Sequence, residues 1–246
     1  MKAASASSIG KTTTTDLMST TETSERLASI RARIDEACRR CGRSAAEVTL
    51  IAVSKKHPAE SIRSVLDAGH RVFGESQVQE AERKAAALAG VEWHLIGPLQ
   101  SNKARRAARV FDVVHSVDRL KVARLLNKEA AALGRRIDVF LQLNLGEEQT
   151  KHGFSPRELE EVVAAVVGLS SLRLVGLMCI PPIEPEREGA RKWFSELRGH
   201  GERVKKNWPS FPGALSMGMS RDFDIAIEEG ATHVRVGTEL FGARPT

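Results

Sequence analysis

Eight short β-rich runs alternate with helix-like segments along this chain, and this alternation limits the choice of fold more than any other feature. The runs cover residues 48–54, 71–73, 92–96, 112–115, 137–145, 172–180, 214–219 and 233–236. Strands that alternate with helices in this way form parallel sheets. Eight such units in a chain of 246 residues predict an α/β fold of the (β/α)8 barrel type, which usually takes ~250 residues.

A doubly wound open sheet is the competing architecture. It favours a glycine-rich phosphate-binding turn directly after the first strand. The corresponding segment here is "VSKKHPAE", residues 53–60, and it contains no glycine. The barrel is therefore preferred, and position along each strand becomes informative, because active sites of such barrels lie at the carboxyl ends of the strands.

Unusual residues collect at those carboxyl ends. Lys55 follows the first strand, and the later strands end in "FGE" at 73–75, "IGPLQSNK" at 96–103, "SMGMS" at 216–220 and "RVGT" at 235–238. The sequence therefore predicts a single site at the carboxyl rim of the barrel.

The segments after the seventh and eighth strands predict a phosphate site. In such barrels these loops often bind phosphate through backbone N–H groups and a helix N-terminus. Ser220 is a candidate N-cap for the next helix, and Gly237 with Thr238 opens the last turn. Glycine lets backbone approach an anion, and hydroxyl groups donate hydrogen bonds. In the alternative interpretation, Gly237 and Thr238 only turn and cap the chain.

Lys55 suggests what else the ligand carries. Strand alternation places it on the same face as Ile51 and Val53. If that face is the lumen, the amine enters a partly desolvated pocket, and desolvation favours the neutral amine that forms a Schiff base with a carbonyl. One cofactor joins a phosphate to a lysine-reactive aldehyde, pyridoxal 5′-phosphate (PLP). Lys56 is interpreted as a surface charge.

Arg235 lies two residues before the expected phosphate loop. A guanidinium that faces the pyridine nitrogen of PLP keeps that nitrogen unprotonated, because arginine does not accept a proton. The ring is then a weaker electron sink. The alternative for Arg235 is a surface ion pair with a neighbouring helix.

Composition argues against several other classes. The net charge is +6, but most Lys and Arg residues are interleaved with Glu along helices, which is typical of a solvated face. Aromatic residues make up 4% of the chain, too few for a base-stacking platform, so we expect no nucleic-acid partner. No window approaches ~18 consecutive apolar residues, so we expect no membrane span.

Cysteine usage and the first residues suggest a cytoplasmic chain with a tail. Three cysteines do not make a disulfide framework, so a reducing cytoplasm is expected. Cys38 and Cys41 form a C-x-x-C in a helical stretch without a second pair, and we interpret them as inert. Residues 1–24 are half Ser and Thr and are expected to be a disordered tail.

Five segments together are recognisable: "AVSKKHP", "FGESQVQE", "WHLIGPLQSNK", "LSMGMSRDFDIAIEEG" and "RVGTELFGAR". In this order and spacing they resemble the pyridoxal phosphate homeostasis proteins, single-domain relatives of the alanine racemase barrel. The resemblance runs from about residue 25 to the C-terminus. It implies one domain over 25–246, a PLP fold type III barrel, and a role in storing and delivering PLP without established turnover.

The resemblance also assigns residues. It makes Lys55 the Schiff-base lysine and Arg235 the partner of the ring nitrogen, and Lys151 stands in a segment close to the pocket mouth. The full set that it assigns to the cofactor is Lys55, Ser76, His94, Ser216, Met217, Arg235, Gly237 and Thr238. Within this set Ser216, Gly237 and Thr238 would hold the phosphate, whereas His94 and Met217 would lie near the ring.

One departure concerns the second motif. The family usually has Asn and Tyr where this chain has Ser76 and Gln77. Ser76 would reach the cofactor only through water, or not at all, and the lost hydrogen bond would cost ~0.5–1.5 kcal/mol of affinity. PLP binding is expected to survive.

A PLP-dependent amino-acid racemase is the alternative function. Two-base racemases of this fold type resemble each other in using a tyrosine from a second domain, opposite the lysine, to move protons on the other face of the substrate. This chain contains no tyrosine and ends about ten residues after the last predicted strand. A non-catalytic carrier is therefore expected, monomeric, with apo PLP-dependent enzymes as its recipients.

Overall fold

Eight parallel strands close into one barrel in the computed structural model, which describes residues 20–146 and 152–243. Consecutive strands pair in parallel and β8 returns to pair with β1. The strands are β1 Thr49–Val53, β2 Val72–Glu75, β3 Glu92–Leu95, β4 Val113–Val117, β5 Ile137–Leu143, β6 Leu172–Cys179, β7 Ala214–Met219 and β8 His233–Val236. The predicted fold class is confirmed.

Helices surround the barrel and precede or follow each strand. They are α1 Thr20–Arg40, α2 Ala59–Asp67, α3 Val78–Ala87, α4 Ala104–Val110, α5 Leu120–Ala132, α6 Leu159–Val167, α7 Arg191–Asn207, α8 Phe223–Glu228 and α9 Thr238–Phe241. Within the described ranges, none of them combines the length and the apolar character that crossing a bilayer requires.

Strand alternation separates an outer core from the lumen. In β1, Leu50 and Ala52 belong to the core between strands and helices. Ile51 points the other way, because a Cβ on Gly74 of β2 would lie 2.7 Å from its Cγ2 atom. Both faces of the strands are therefore buried, as parallel barrels require.

The first helix begins earlier than the composition indicated. The tail was expected to reach residue 24, but α1 starts at Thr20, so residues 20–24 are helical. Thr23 is buried and lies one turn before Leu27, on the face that packs in the core. Residues 1–19 of the expected tail lie outside the described residues. The expectation for residues 20–24 was wrong because a buried threonine extends the apolar face.

Candidate functional site

A cavity of about 520 Å³ opens at the carboxyl end of the barrel. Ile96, Ile180 and Met219 contribute apolar walls. Gly237 also lines the cavity, and the polar side chains of the lining come from Lys55, His57, Ser76, Ser220, Arg221, Arg235 and Thr238. This size, with few polar groups in an apolar wall, is typical of small-molecule sites.

Lys55 lies in the turn between β1 and α2 and is half-buried. On one side of it, the Ser54 N–H donates to the Gly74 carbonyl over 3.1 Å. On the other side, Lys56 has a φ of 65°, a left-handed conformation that is uncommon for a lysine. The Lys56 N–H donates to Glu80 Oε1 over 2.6 Å. We call residues 54–57 the Lys55 turn.

A buried group of charges supports this turn, and we call Ser54, Glu75, Glu80 and Lys84 the Lys84 cluster. Lys84 Nζ donates to the Ser54 carbonyl over 2.7 Å, to Glu75 Oε1 over 2.6 Å and to Glu80 Oε1 over 2.8 Å. The Ser54 hydroxyl donates to Glu75 Oε1 over 2.7 Å. Because Glu80 also holds the Lys56 N–H, the cluster fixes the backbone on both sides of Lys55.

Glu75 is the most buried charged residue of the Lys84 cluster. It is fully buried. Burial raises the pKa of its carboxyl group, whereas the positive charge and hydrogen bond of Lys84 lower it. Sequence reasoning missed this cluster. The spacing of Glu80 and Lys84, one helical turn apart in α3, was the available signal, but nothing local indicated that the pair is buried against β2.

Arg235 enters the cavity from β8 and is almost completely buried. Its Nη1 atom donates to Ser216 Oγ over 2.8 Å and its Nη2 atom to the Cys179 carbonyl over 3.0 Å. Burial lowers the pKa of the guanidinium below its ordinary value. The alternative of a surface ion pair was wrong, because the group lies inside the barrel on neutral partners.

The loop after β8 approaches β1 closely. A Cβ atom on Gly237 would lie 3.2 Å from the Val53 carbonyl oxygen and 3.3 Å from Val53 Cβ. Gly237 precedes Thr238, the first residue of α9. A glycine at this position leaves room in the cavity that any side chain would reduce.

Ser220 was expected to cap the helix after β7, and this was wrong. The residue before α8 is Asp222, whose Oδ1 atom accepts from the Met219 N–H over 2.7 Å. Burial raises the pKa of the Asp222 carboxyl group. Ser220 instead lies in the cavity wall, where its hydroxyl is available to a ligand.

Three residues that the resemblance assigned to the cofactor do not line the cavity. Met217 faces the opposite side of β7 from Ser216 and packs in the outer core, because strand side chains alternate. Ser216 is fully buried beneath Arg235. His94 lies in the lumen, bonded to Glu92 and His115. Lys151 lies outside the described residues.

The C-x-x-C cysteines lie at the end of α1. Cys38 is buried, and burial raises the pKa of its thiol, which keeps it protonated and unreactive. The residues that the structure describes contain no group of three or more His, Cys, Asp or Glu side chains able to hold a metal ion.

Comparison with known proteins identifies close relatives. The family model for the alanine racemase N-terminal domain matches residues 26–245. The "Pyridoxal phosphate homeostasis protein" of Escherichia coli (strain K12) is 45% identical over 227 residues, which cover 89% of this chain and 95% of the relative. The protein of the same name from Pseudomonas aeruginosa is 46% identical over 222 residues, with the same coverage.

Solved structures agree in fold. PipY of Synechococcus elongatus PCC7942, solved with PLP bound, matches with a TM-score of 0.80 at 40% identity, covering 89% of this chain and 100% of that chain. An alanine racemase of Clostridium difficile 630 matches with a TM-score of 0.70 at 14% identity, covering 90% of this chain and 58% of that one. The racemase shares the fold alone.

Proposed function

This chain belongs to the family of pyridoxal phosphate homeostasis proteins, and on that premise we propose that it binds PLP in the cavity at the carboxyl end of the barrel and serves in storing and delivering it. The observation that carries the proposal is the convergence of a lysine amine, a buried guanidinium and a glycine-containing loop on one cavity of about 520 Å³. PipY, a relative at 40% identity, was solved with PLP bound.

The residues present fit the chemical groups of PLP. The cofactor supplies an aldehyde that condenses reversibly with a primary amine, and Lys55 is the lysine in the cavity wall. Thr238, Ser220 and the backbone of Gly237 would hold the phosphate. Arg235 donates its hydrogen bonds in the lumen and does not accept a proton, so it suits an unprotonated ring nitrogen.

A carrier role is supported over a racemase. The curated relatives are named for pyridoxal phosphate homeostasis and not for a reaction. The sequence contains no tyrosine that could act as a second base. We expect no exchange of the substrate Cα proton for deuterium above the rate with free PLP when alanine is added; a faster exchange would favour the enzyme.

Several finer points belong to the same proposal. We infer that residues 25–246 form one cofactor-binding domain, that the protein is a cytoplasmic monomer, and that apo PLP-dependent enzymes are its recipients. Size-exclusion chromatography with light scattering tests the monomer. Transfer of PLP to an apo-enzyme, followed by recovery of that enzyme's activity, tests delivery.

The decisive experiment locates the cofactor on the chain. The purified protein is incubated with PLP, reduced with borohydride and digested, and mass spectrometry identifies the modified lysine. We expect visible absorption from the bound cofactor before reduction and a modification on Lys55. Lys55→Ala should lose both.

Lys56→Ala is the matched control, since it removes the adjacent lysine amine of the same turn. We expect it to keep both signals. Full absorption in the Lys55→Ala protein, or a modification that maps to another lysine, would refute the assignment.

A further inference from the structure

A line of four hydrogen bonds crosses the lumen beneath the cavity and joins four strands. Arg235 Nη1 lies 2.8 Å from Ser216 Oγ, and Ser216 Oγ lies 2.8 Å from His115 Nδ1. His115 Nε2 lies 2.9 Å from His94 Nδ1, and His94 Nε2 lies 3.0 Å from Glu92 Oε1. We call these five residues the lumen chain. Their side chains are buried except that of Glu92, which is 51% exposed.

The two ends of the lumen chain, together with a neutral His94, fix the direction of every bond in it. A guanidinium only donates, so Ser216 Oγ accepts from Arg235. An ionised carboxylate only accepts, so His94 Nε2 carries a proton that it donates to Glu92. A neutral His94 then accepts at Nδ1, and the donor to it must be His115 Nε2. A neutral His115 in turn accepts at Nδ1 from the Ser216 hydroxyl.

The environment of His115 favours the neutral ring. His115 is fully buried and stacks on Phe140, with ring centroids 4.2 Å apart and planes 10° apart. Burial, with the neighbouring His94, His233 and Arg235, holds the pKa of His115 well below its ordinary value. A second proton on His94 would make Nδ1 a donor and would force His115 to reverse its tautomer.

We propose that the lumen chain is a one-directional hydrogen-bonded relay that positions the Arg235 guanidinium in the cavity wall, with His115 and His94 as positioning residues. The inference rests on the proposed function for the identity of the ligand, but not for the state of the chain. The Ser216 hydroxyl is committed to His115, so Ser216 acts through Arg235 and not on the phosphate. Arg235 then recognises an acceptor on the ligand, such as an unprotonated aromatic nitrogen.

Nitrogen NMR of the cofactor-free full chain tests the direction of the bonds. Long-range 15N–1H spectra at neutral pH distinguish the two neutral tautomers of histidine from the charged ring. We expect both His94 and His115 to be neutral and protonated at Nε2. A proton at Nδ1 of either ring, or a charged ring, would overturn the proposed direction.

PLP titration of variants tests the positioning role. His115→Leu removes both ring nitrogens, and Ser216→Ala removes the link to Arg235. We expect each to weaken PLP binding about 10-fold, as the loss of a buried hydrogen-bond partner does, and to shift the visible absorption maximum of the bound cofactor. His115→Gln keeps one donor and one acceptor, so its affinity and absorption should stay near those of the wild type.

His70→Leu is the control for loss of a buried histidine. His70 is buried and bonds to the Val72 carbonyl, outside the lumen chain. We expect wild-type affinity and absorption from it. Circular dichroism checks folding, and Ser216→Ala carries the test if His115→Leu does not fold.

The outcomes separate the two proposals. If neither His115→Leu nor Ser216→Ala changes affinity or absorption while the wild type binds PLP, the positioning role is wrong and the proposed function stands. If the wild type binds no PLP, the proposed function is wrong, and the NMR tautomers still decide the direction of the chain.

Discussion

The Lys55 turn and the lumen chain each hold a cation at the same cavity, but the first relies on buried ion pairs and the second on hydrogen bonds that pass through uncharged side chains. The Lys84 cluster bonds the backbone before and after Lys55, at the Ser54 carbonyl and through Glu80 at the Lys56 N–H. The lumen chain instead bonds the guanidinium head of Arg235 itself.

The difference follows from what each cation has to do. A lysine that condenses with an aldehyde must change its bonding partners, so the protein fixes its backbone through the cluster. A guanidinium only donates hydrogen bonds, both before and after a ligand binds. Its nitrogen atoms can therefore keep fixed hydrogen-bond partners. Charge can be buried in the first region because Lys84 and Glu75 offset each other.

Removing Lys84 should have the largest effect of the changes that test this comparison. Lys84→Met keeps most of the volume of the side chain but leaves the buried Glu75 without its cationic partner. Breaking a buried ion pair in this way costs about 3–5 kcal/mol. We expect urea unfolding to show a loss of that order and PLP titration to show weaker binding, because the Lys55 turn loses its support.

Two variants control this experiment. Arg173→Met removes an ion pair with Asp138 that lies on the surface, and it should change stability far less. Glu75→Gln combined with Lys84→Met should regain part of the lost stability, because the fully buried carboxylate is then no longer left without its cation. A double variant as unstable as Lys84→Met alone would show that the ion pair is not what holds this region.

Acid should act on the histidines that burial keeps neutral, both in the lumen and in the outer core. Burial lowers the pKa of His233 to about 3 and that of His70 to about 4. The unfolded chain binds protons at these histidines below a pH of about 6.5, whereas the folded chain does not. The free energy of unfolding therefore decreases as the pH falls, by about 1.6 kcal/mol for each such histidine between pH 6.5 and 5.

Urea unfolding at several pH values checks this. His233→Leu removes one of these groups without touching the lumen chain's four hydrogen bonds, so its stability should fall less steeply between neutral pH and about pH 5 than that of the wild type. Identical slopes for the two proteins would mean that His233 is not held neutral by the fold. The titratable and charged groups that face His233 are His94, His115, Glu92 and Arg235.

Gly237 joins the two regions, since it contacts Val53 of β1 from the loop after β8. Gly237→Ala places a methyl group 3.2 Å from the Val53 carbonyl oxygen and narrows the cavity. We expect PLP affinity to fall about 10-fold, measured by titration. Gly199→Ala is the matched control, because a Cβ there meets nothing within 4 Å; it should leave affinity unchanged and slightly stabilise α7.

Much of the fold could be predicted from sequence because its signals are local. Strand runs, intervening helical segments and the alternation that brings Val53 and Lys55 to one cavity all repeat within a few residues. The start of α1 was missed because Ser and Thr composition outweighed a single buried threonine, Thr23. The confirmed barrel is thus a result of periodicity, and the error at its first helix is a result of composition.

The supports of the site were not predictable in the same way. His115 and Ser216 are 101 residues apart, and their contact depends on the closure of the barrel across β4 and β7. The sequence of α3 alone indicates that Lys84 is a surface charge, whereas in the structure Glu75 of β2 lies beside it. Chemistry-bearing residues at strand ends can therefore be found from sequence, whereas the residues that position them depend on tertiary packing.

Ser76 offers the smallest test, on the Lys55 side of the cavity. It lines the cavity at the position where the family motif usually has asparagine, whose side chain is longer than that of serine. Ser76→Asn adds an amide donor and acceptor, and a new hydrogen bond to the cofactor would contribute ~0.5–1.5 kcal/mol. We expect PLP to bind up to about 10-fold more tightly by titration, while Ser76→Ala stays near the wild type. Equal affinity in all three proteins would mean that the β2 end does not contact the ligand, so that the difference between the two regions lies in Lys55 and Arg235 alone.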